Sequence, residues 1–116
     1  MPIIIYHNPK CSKSRETLRL LQEQGINLVT IEYLKNPLTV EKLKEILSLL
    51  GISPRDLMRK KEDEYKELGL ANSDLSDGDL IDLMIKNPIL IERPIVLANG
   101  KAALGRPPEQ VLNILN

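Results

Sequence analysis

The sequence has only one cysteine, Cys11, among its 116 residues. One cysteine cannot form a disulfide within the chain, and this usage is typical of proteins that stay in a reducing compartment. The thiol therefore either packs in the core or takes part in chemistry, and we expect a cytoplasmic protein.

The sequence also lacks an excess of charge, since Lys plus Arg and Asp plus Glu each number 16. Without a basic field, nucleic acid is not an expected partner. The short apolar run at residues 3–6 is soon followed by His7, Lys10 and Lys13, so we expect no secretory signal, and no stretch is long enough to cross a membrane. The length and the lack of a low-complexity linker predict a single domain over residues 1–116.

What the sequence does contain is a dense motif near its start. Residues 3–6 are β-branched or aromatic, which predicts a strand in the interior of a sheet, and Asn8-Pro9 ends that strand. From Ser12 the apolar spacing becomes helical, and Gly25 marks the end of the helix. The motif therefore predicts that Cys11 lies at or beside a helix N-terminus.

A helix N-terminus changes the chemistry of a thiol. The first N–H groups have no partner within the helix and the helix dipole adds partial positive charge, so the thiolate is favoured. Lys10, Lys13 and Arg15 add cations nearby in the sequence. The same N–H groups bind oxyanions such as phosphate or arsenate. We therefore expect a nucleophile and an anionic substrate to share one site.

The rest of the chain predicts a small α/β fold. Residues 27–33 predict a second strand, joined to the first by a helical crossover and parallel to it. Helices are predicted after the capping residues Thr39, Ser53 and Ser76, the second of them ending near Arg59. Asn99-Gly100 predicts a β-hairpin over residues 95–104, and a last helix is predicted at residues 109–115.

The predicted order is one βαβ unit, a helical insert, a hairpin and a terminal helix. A mixed four-stranded sheet flanked by helices satisfies this order. Residues 59–64 mix charges of both signs and are predicted to form an irregular solvated stretch. Tyr65, Leu68 and Leu70 follow as predicted apolar anchors.

Two interpretations of Cys11 compete. Burial statistics alone favour a small core residue, whereas a strand-to-helix turn near three cations favours a reactive, accessible thiol. Position 14, where a Cys-x-x-Cys pair has its second thiol, is Ser14. An oxidised Cys11 therefore needs an external thiol to reduce it.

Four other residues have competing interpretations. His7, four positions before Cys11, is either only a polar strand terminus or an imidazole that biases the thiol towards thiolate. Arg59, Arg93 and Arg106 each fall at a predicted element boundary. Taken singly, each is most simply a solvated surface arginine, but three guanidinium groups on one oxyanion would give bidentate, permanently charged recognition. Spacing alone leaves these alternatives open.

The motif Tyr6-His7-Asn8-Pro9-Lys10-Cys11-Ser12-Lys13-Ser14-Arg15 resembles the Tyr-His-Asn-Pro-x-Cys-x-x-Ser-Arg signature of the glutaredoxin-coupled, ArsC-like arsenate reductases. The resemblance continues through residues 57–60, 65–70, 87–96 and 105–107, so it covers nearly the whole chain. It implies a thioredoxin-like fold and an enzyme, an arsenate reductase. Because the chain ends soon after its last helix, we expect it to belong to the shorter branch of the family.

The resemblance also implies the residues of an active site. Cys11 is the implied catalytic thiolate, and His7 is the neighbour that lowers its pKa. Pro94 corresponds to the cis-proline that faces the cysteine in thioredoxin-like folds. The implied oxyanion-binding residues are arginines, to which we add two polar residues of the motif, giving Arg59, Arg93, Arg106, Asn8 and Ser14.

In the mechanism that the resemblance implies, the thiolate attacks arsenate, glutathione condenses on the arsenic, glutaredoxin reduces the adduct and arsenite leaves. No bound cofactor and no metal are expected; glutathione is the co-substrate and glutaredoxin the protein partner of an expected monomer. Two alternatives stay open: a thioredoxin-like adaptor of the branch of regulators that bind RNA polymerase, and a general thiol reductase. Ser14 argues against the Cys-x-x-Cys sensor chemistry of those regulators.

Overall fold

The computed structural model describes residues 2–115. They form two compact units, each described by itself. Residues up to 36 together with those from 93 onward make up the first, here called the sheet unit, and residues 37–92 make up the second, the helical unit. That the whole chain forms one domain stays a prediction.

The sheet unit contains a mixed four-stranded sheet. Its strands lie in the order β2-β1-β3-β4, with β1 parallel to β2 and antiparallel to β3, and with β3 antiparallel to β4. The parallel pair and the hairpin are therefore both as predicted. Asn99 (φ 54°) and Gly100 (φ 72°) form the hairpin turn with the left-handed backbone that such a two-residue loop requires. The strands are β1 (Ile3–His7), β2 (Leu28–Glu32), β3 (Ile95–Ala98) and β4 (Lys101–Leu104).

One face of this sheet carries the core of the unit. Helix α1 (Ser12–Glu23) and a C-terminal 3₁₀ helix (Pro108–Ile114) pack together there. The 3₁₀ helix takes the place of the predicted last helix, and its buried residues recur every third position, which matches three residues per turn. Alternate strand residues point to the same face. The buried core cluster consists of Ile3, Ile5, Leu21, Val96, Ala98, Val111 and Ile114.

The helical unit follows β2 in sequence and is built on a central contact of α5 with α2 and α3. Thr39 caps α2 by accepting a hydrogen bond from the backbone N–H of Lys42, and Gly51 (φ 68°) ends it. Ser76 and Asp79 form a reciprocal capping box at the start of α5, as predicted. The helices are α2 (Val40–Leu50), α3 (Pro54–Leu57), α4 (Asp63–Glu67), α5 (Asp77–Lys86) and a 3₁₀ turn, Pro88–Leu90.

The structure differs from the sequence-based expectation around residues 57–68. Helix α3 ends at Leu57 because the chain then becomes extended: Met58 forms an antiparallel bridge with Ile91, and the backbone N–H of Arg59 donates to the carbonyl of Leu90. The polar stretch that follows gives way to helix α4 at residue 63. Three apolar anchors were predicted after the polar stretch. The prediction for Leu68 is wrong, since that side chain is 45% exposed.

The helices described here are short. The longest, α1, has 12 residues, whereas a transmembrane helix needs about 20 apolar residues. Within residues 2–115, no helix is both long enough and apolar enough to cross a bilayer.

Candidate active site

Cys11 lies at the junction between β1 and α1, as the sequence predicts. A turn leads from the strand to the helix: the side-chain carbonyl of Asn8 accepts the N–H of Lys10 (3.0 Å), and its backbone carbonyl accepts the N–H of Cys11 (3.0 Å). Cys11 is the N-cap residue, with extended backbone, and its carbonyl accepts the first helical hydrogen bond, from Arg15 (3.0 Å). The thiol is thereby placed beside the unpaired N–H groups of the first turn.

Opposing effects act on the ionisation of this thiol. Cys11 is only 8% exposed, and burial raises the pKa of the thiol. The backbone N–H of Ser14, the guanidinium group of Arg93 and the backbone N–H of Lys13 together lower the pKa by more than burial raises it, so that the net pKa of Cys11 is below its ordinary value. The site therefore favours a thiolate, although it is less accessible than the sequence suggests.

Two of the three predicted arginines reach this thiol. The guanidinium group of Arg93 acts on the thiol and lowers its pKa, and Nη2 of Arg106 lies 3.8 Å from the sulfur. Nε of Arg106 also donates to the backbone carbonyl of Arg93 (2.8 Å), which ties the two arginines together. Arg59 belongs to the helical unit, where its Nε donates to the carboxylate of Glu62 (2.9 Å).

The cations that are close to Cys11 in sequence are not the ones that lower the pKa of its thiol. Lys10, Lys13 and Arg15 are exposed, and Arg15 donates from Nη1 to the carbonyl of Pro9 (2.9 Å). Solvent and salt screen such exposed charges. The side-chain charge that lowers the pKa of Cys11 comes instead from Arg93, two residues before β3.

His7, Asn8 and Ser14 form a buried hydrogen-bond network beside the thiol. The hydroxyl of Ser14 lies 2.6 Å from Nδ1 of His7 and accepts the backbone N–H of Asn8 (3.0 Å). Burial lowers the pKa of His7; Glu32 opposes this effect and Arg15 adds to it. A histidine with a lowered pKa is neutral near pH 7. His7 therefore acts on this region as a neutral hydrogen-bonding ring that connects the end of β1 to the first turn of α1.

Sequence reasoning missed Thr17 and Gly105. Thr17 is completely buried, and a Cβ atom built on Gly105 would overlap its hydroxyl and the ring of Pro94. The Arg93–Pro94 peptide is cis, as the resemblance implies. The spacing held a signal for Thr17, since it lies three residues after Ser14 and four before Leu21 on one helix face. No local signal connects Gly105 to that face.

The chemistry available to this site is that of an anion-stabilised nucleophile. One thiolate lies among two helix N–H groups and two guanidinium groups, all of which attract a negatively charged ligand. Among residues 2–115, no three His, Cys, Asp or Glu side chains are grouped so that they could hold a metal ion.

Comparisons with known proteins agree with the motif. The profile of the ArsC family matches residues 6–114. The chain is 59% identical over 112 residues to YfgD, an uncharacterized protein of Escherichia coli strain K12. This match covers 96% of this chain and 94% of YfgD. It is 51% identical over 117 residues to an arsenate reductase of Neisseria meningitidis serogroup B, covering 99% and 100% of the two chains. It also resembles the solved arsenate reductase from Vibrio cholerae, with a TM-score of 0.96, 57% identity, and coverage of 99% and 98%.

Proposed function

The chain belongs to the ArsC family and has its thioredoxin-like α/β fold, and on this premise we propose that it is an enzyme that reduces arsenate to arsenite. Cys11 is the proposed nucleophile. The names of relatives at 51% identity and of the solved structure at 57% identity support this activity.

One observation carries the proposal: the sulfur of Cys11 lies within reach of Arg93 and Arg106. Guanidinium groups bind a tetrahedral oxyanion through paired, charge-assisted hydrogen bonds. An arsenate held by them has its arsenic next to the thiolate, and positioning of this kind lowers the barrier to attack. The same cations stabilise the charge on the arsenate oxygens as the S–As bond forms.

The proposed first step joins the sulfur to arsenic, and one arsenate oxygen leaves as water after protonation. Arsenic remains As(V) at this point, so two electrons must still be supplied. The chain has a single cysteine, and we therefore propose glutathione as co-substrate and glutaredoxin as the protein that resolves the adduct. Over one cycle, arsenate and two glutathione molecules give arsenite, oxidised glutathione and water, and Cys11 returns to its thiolate form.

Further roles follow for the surrounding residues. We propose that His7 acts through the hydroxyl of Ser14 and that Asn8, Ser14 and the turn they build keep the N–H groups of α1 directed at the substrate. Arg59 is a proposed third oxyanion ligand, supported by its place in the segment 57–60 that matches the family. Its hydrogen bond to Glu62 would then be exchanged for one to the substrate.

The setting of the enzyme is also a proposal. A single reduced cysteine and a need for glutathione fit a cytoplasmic location. We propose that the protein works as a monomer. We also propose that it has no bound cofactor or metal, since glutathione and glutaredoxin supply the electrons.

The test is arsenate-dependent oxidation of NADPH, with glutathione, glutaredoxin and glutathione reductase as the coupling system. The expected result is turnover in the native protein and in the exposed-site control Glu16→Gln, and none in Cys11→Ser. Turnover that survives Cys11→Ser would remove the nucleophile assignment. An absence of turnover in the native protein would favour an adaptor, whereas activity on a glutathionylated protein without arsenate would favour a general thiol reductase.

A further inference from the structure

Thr17 lies one turn beyond the N–H donors of helix α1 and points into the protein. Its side chain is completely buried, and its hydroxyl donates to the backbone carbonyl of Lys13 at 2.8 Å. A serine or threonine on a helix often makes such a bond to the carbonyl four residues earlier. Here the bond is partly buried, since Thr17 is buried and Lys13 is exposed, so it keeps more of its electrostatic strength than it would at a surface.

The bond is connected to Cys11 through a single peptide group. The carbonyl of Lys13 and the N–H of Ser14 belong to the same peptide unit. A donor on the carbonyl oxygen polarises that unit and makes its N–H a stronger donor, because hydrogen bonds in a chain reinforce one another. Ser14 is the third residue of α1 and Cys11 is the N-cap of that helix, so the N–H of Ser14 is one of the first-turn donors that have no helical partner beside the thiol. It is also the largest of the interactions that lower the pKa of Cys11.

Gly105 and Pro94 lie close to the Thr17 hydroxyl and limit its position. Gly105 has no side chain, and the space that its Cβ would need is occupied by Oγ1 of Thr17 and by the ring of Pro94. Gly105 is itself tied to Pro94, whose carbonyl accepts its N–H (2.9 Å). The close approach limits the rotamers of a side chain that is already restricted at χ1. The hydroxyl is thus held where it contacts Lys13.

We infer that Thr17 is a positioning residue for the nucleophile: its hydroxyl strengthens the Ser14 N–H through the Lys13–Ser14 peptide and so favours the thiolate of Cys11. In this inference Thr17 acts through the peptide, because its hydroxyl donates to the Lys13 carbonyl. The inference rests on the proposed function only where it treats Cys11 as the nucleophile.

Thr17→Val tests this inference, because valine keeps the shape of threonine and removes the hydroxyl. The Lys13 carbonyl keeps its helical partner, the N–H of residue 17, so the helix is expected to remain folded. Thr17→Ser returns the hydroxyl, and Thr30→Val makes the same exchange at an exposed position of β2. The measurement is the rate of thiol alkylation by iodoacetamide as a function of pH.

The expected result is a rise of about half a unit in the pKa of Cys11 in Thr17→Val, which reduces the alkylation rate about threefold below that pKa. The plateau rate at high pH should stay unchanged, Thr17→Ser should restore the native profile, and Thr30→Val should match the native protein. Equal pKa values in Thr17→Val and the native protein would overturn the inference, as would a serine variant that behaves like valine.

Thr17→Ala provides a second variant if valine at this position prevents folding, and the same shift is expected from it. None of these profiles requires arsenate. A native protein that fails to reduce arsenate would remove the proposed function while leaving the comparison of thiol titrations intact, so the two failures are distinguishable.

Discussion

Nη2 of Arg106 lies 3.8 Å from the sulfur of Cys11, although 95 positions separate the two residues in the sequence. Nε of the same guanidinium group donates to the carbonyl of Arg93, which fixes the orientation of the group. Because Arg106 follows β4, the loop beyond the hairpin delivers a permanent cation to a nucleophile that belongs to the N-terminal motif. The sheet brings these two segments together, and the anion site depends on it.

Arg93→Lys should weaken oxyanion binding. Lysine keeps the charge but loses the planar pair of donors, so we expect the KM for arsenate to rise about tenfold, or about 1.4 kcal/mol. The pKa of Cys11 should rise as well, because Arg93 lowers it. Steady-state kinetics measure the first effect, with Arg19→Lys on the exposed side of α1 as the control. An unchanged KM would remove Arg93 from the substrate site.

Ser14→Ala should destabilise the fold as well as the site. The substitution removes the partner of both the His7 ring and the Asn8 N–H within a buried network, which costs about 1–3 kcal/mol. Urea denaturation gives the free energy of unfolding. The exposed neighbour Ser12→Ala is the control and should stay within about 0.5 kcal/mol of the native protein. Equal costs at the two positions would contradict the network.

Gly105→Ala should be costly because the new methyl group would overlap Thr17 and Pro94. Overpacking of this kind typically costs about 1–3 kcal/mol, and a shift of the loop should also displace the adjacent Arg106. Gly78→Ala is the matched control, since a Cβ there meets only Ser76 Oγ, at 3.8 Å. Thermal or urea unfolding of the two variants provides the comparison. A Gly105→Ala protein as stable as Gly78→Ala would show that the close approach is unimportant.

His7 should make the stability of the protein sensitive to mild acid. Burial lowers its pKa in the folded state, whereas the unfolded chain titrates near the ordinary value of about 6.5. The unfolded state therefore binds the proton more readily than the folded state. The contribution of neutral His7 to the free energy of unfolding is fully present above the unfolded-state pKa, and it is lost as the pH falls through the folded-state pKa.

His7→Gln should reduce this loss, since His7 is the only histidine in the sequence. The check is the free energy of unfolding at several pH values between 7 and the onset of acid denaturation, for the native protein and the variant. Parallel curves for the two proteins would contradict the assignment of the effect to His7.

The sequence carried enough information to predict the elements that local chemistry determines. Asn99-Gly100 predicted the hairpin because few residues accept the left-handed backbone of its turn. Asn8-Pro9 followed by helical spacing predicted that Cys11 lies at or beside a helix N-terminus, and Cys11 is the N-cap of α1. In both places a short run of residues restricts the backbone without help from the rest of the chain.

Other features depend on contacts between distant segments and left no local pattern. The cations next to Cys11 in sequence, Lys10 and Lys13, are exposed, whereas Arg93 reaches the sulfur through the arrangement of the sheet. Gly105 is needed because Thr17 packs against it, and no spacing rule relates residue 105 to a face of α1. Helix α4 was missed for a different reason: charged residues surround its one buried side chain, Tyr65, so its apolar periodicity is too weak to detect.

The pH dependence of Cys11 alkylation, measured with and without arsenate, tests the central claim most directly. We expect a midpoint below about 8.5, the ordinary value for a free cysteine, and slower alkylation when arsenate is present because the oxyanion occupies the site beside the sulfur. A midpoint at or above 8.5, together with an alkylation rate that arsenate leaves unchanged, would contradict an anion-stabilised thiolate at Cys11.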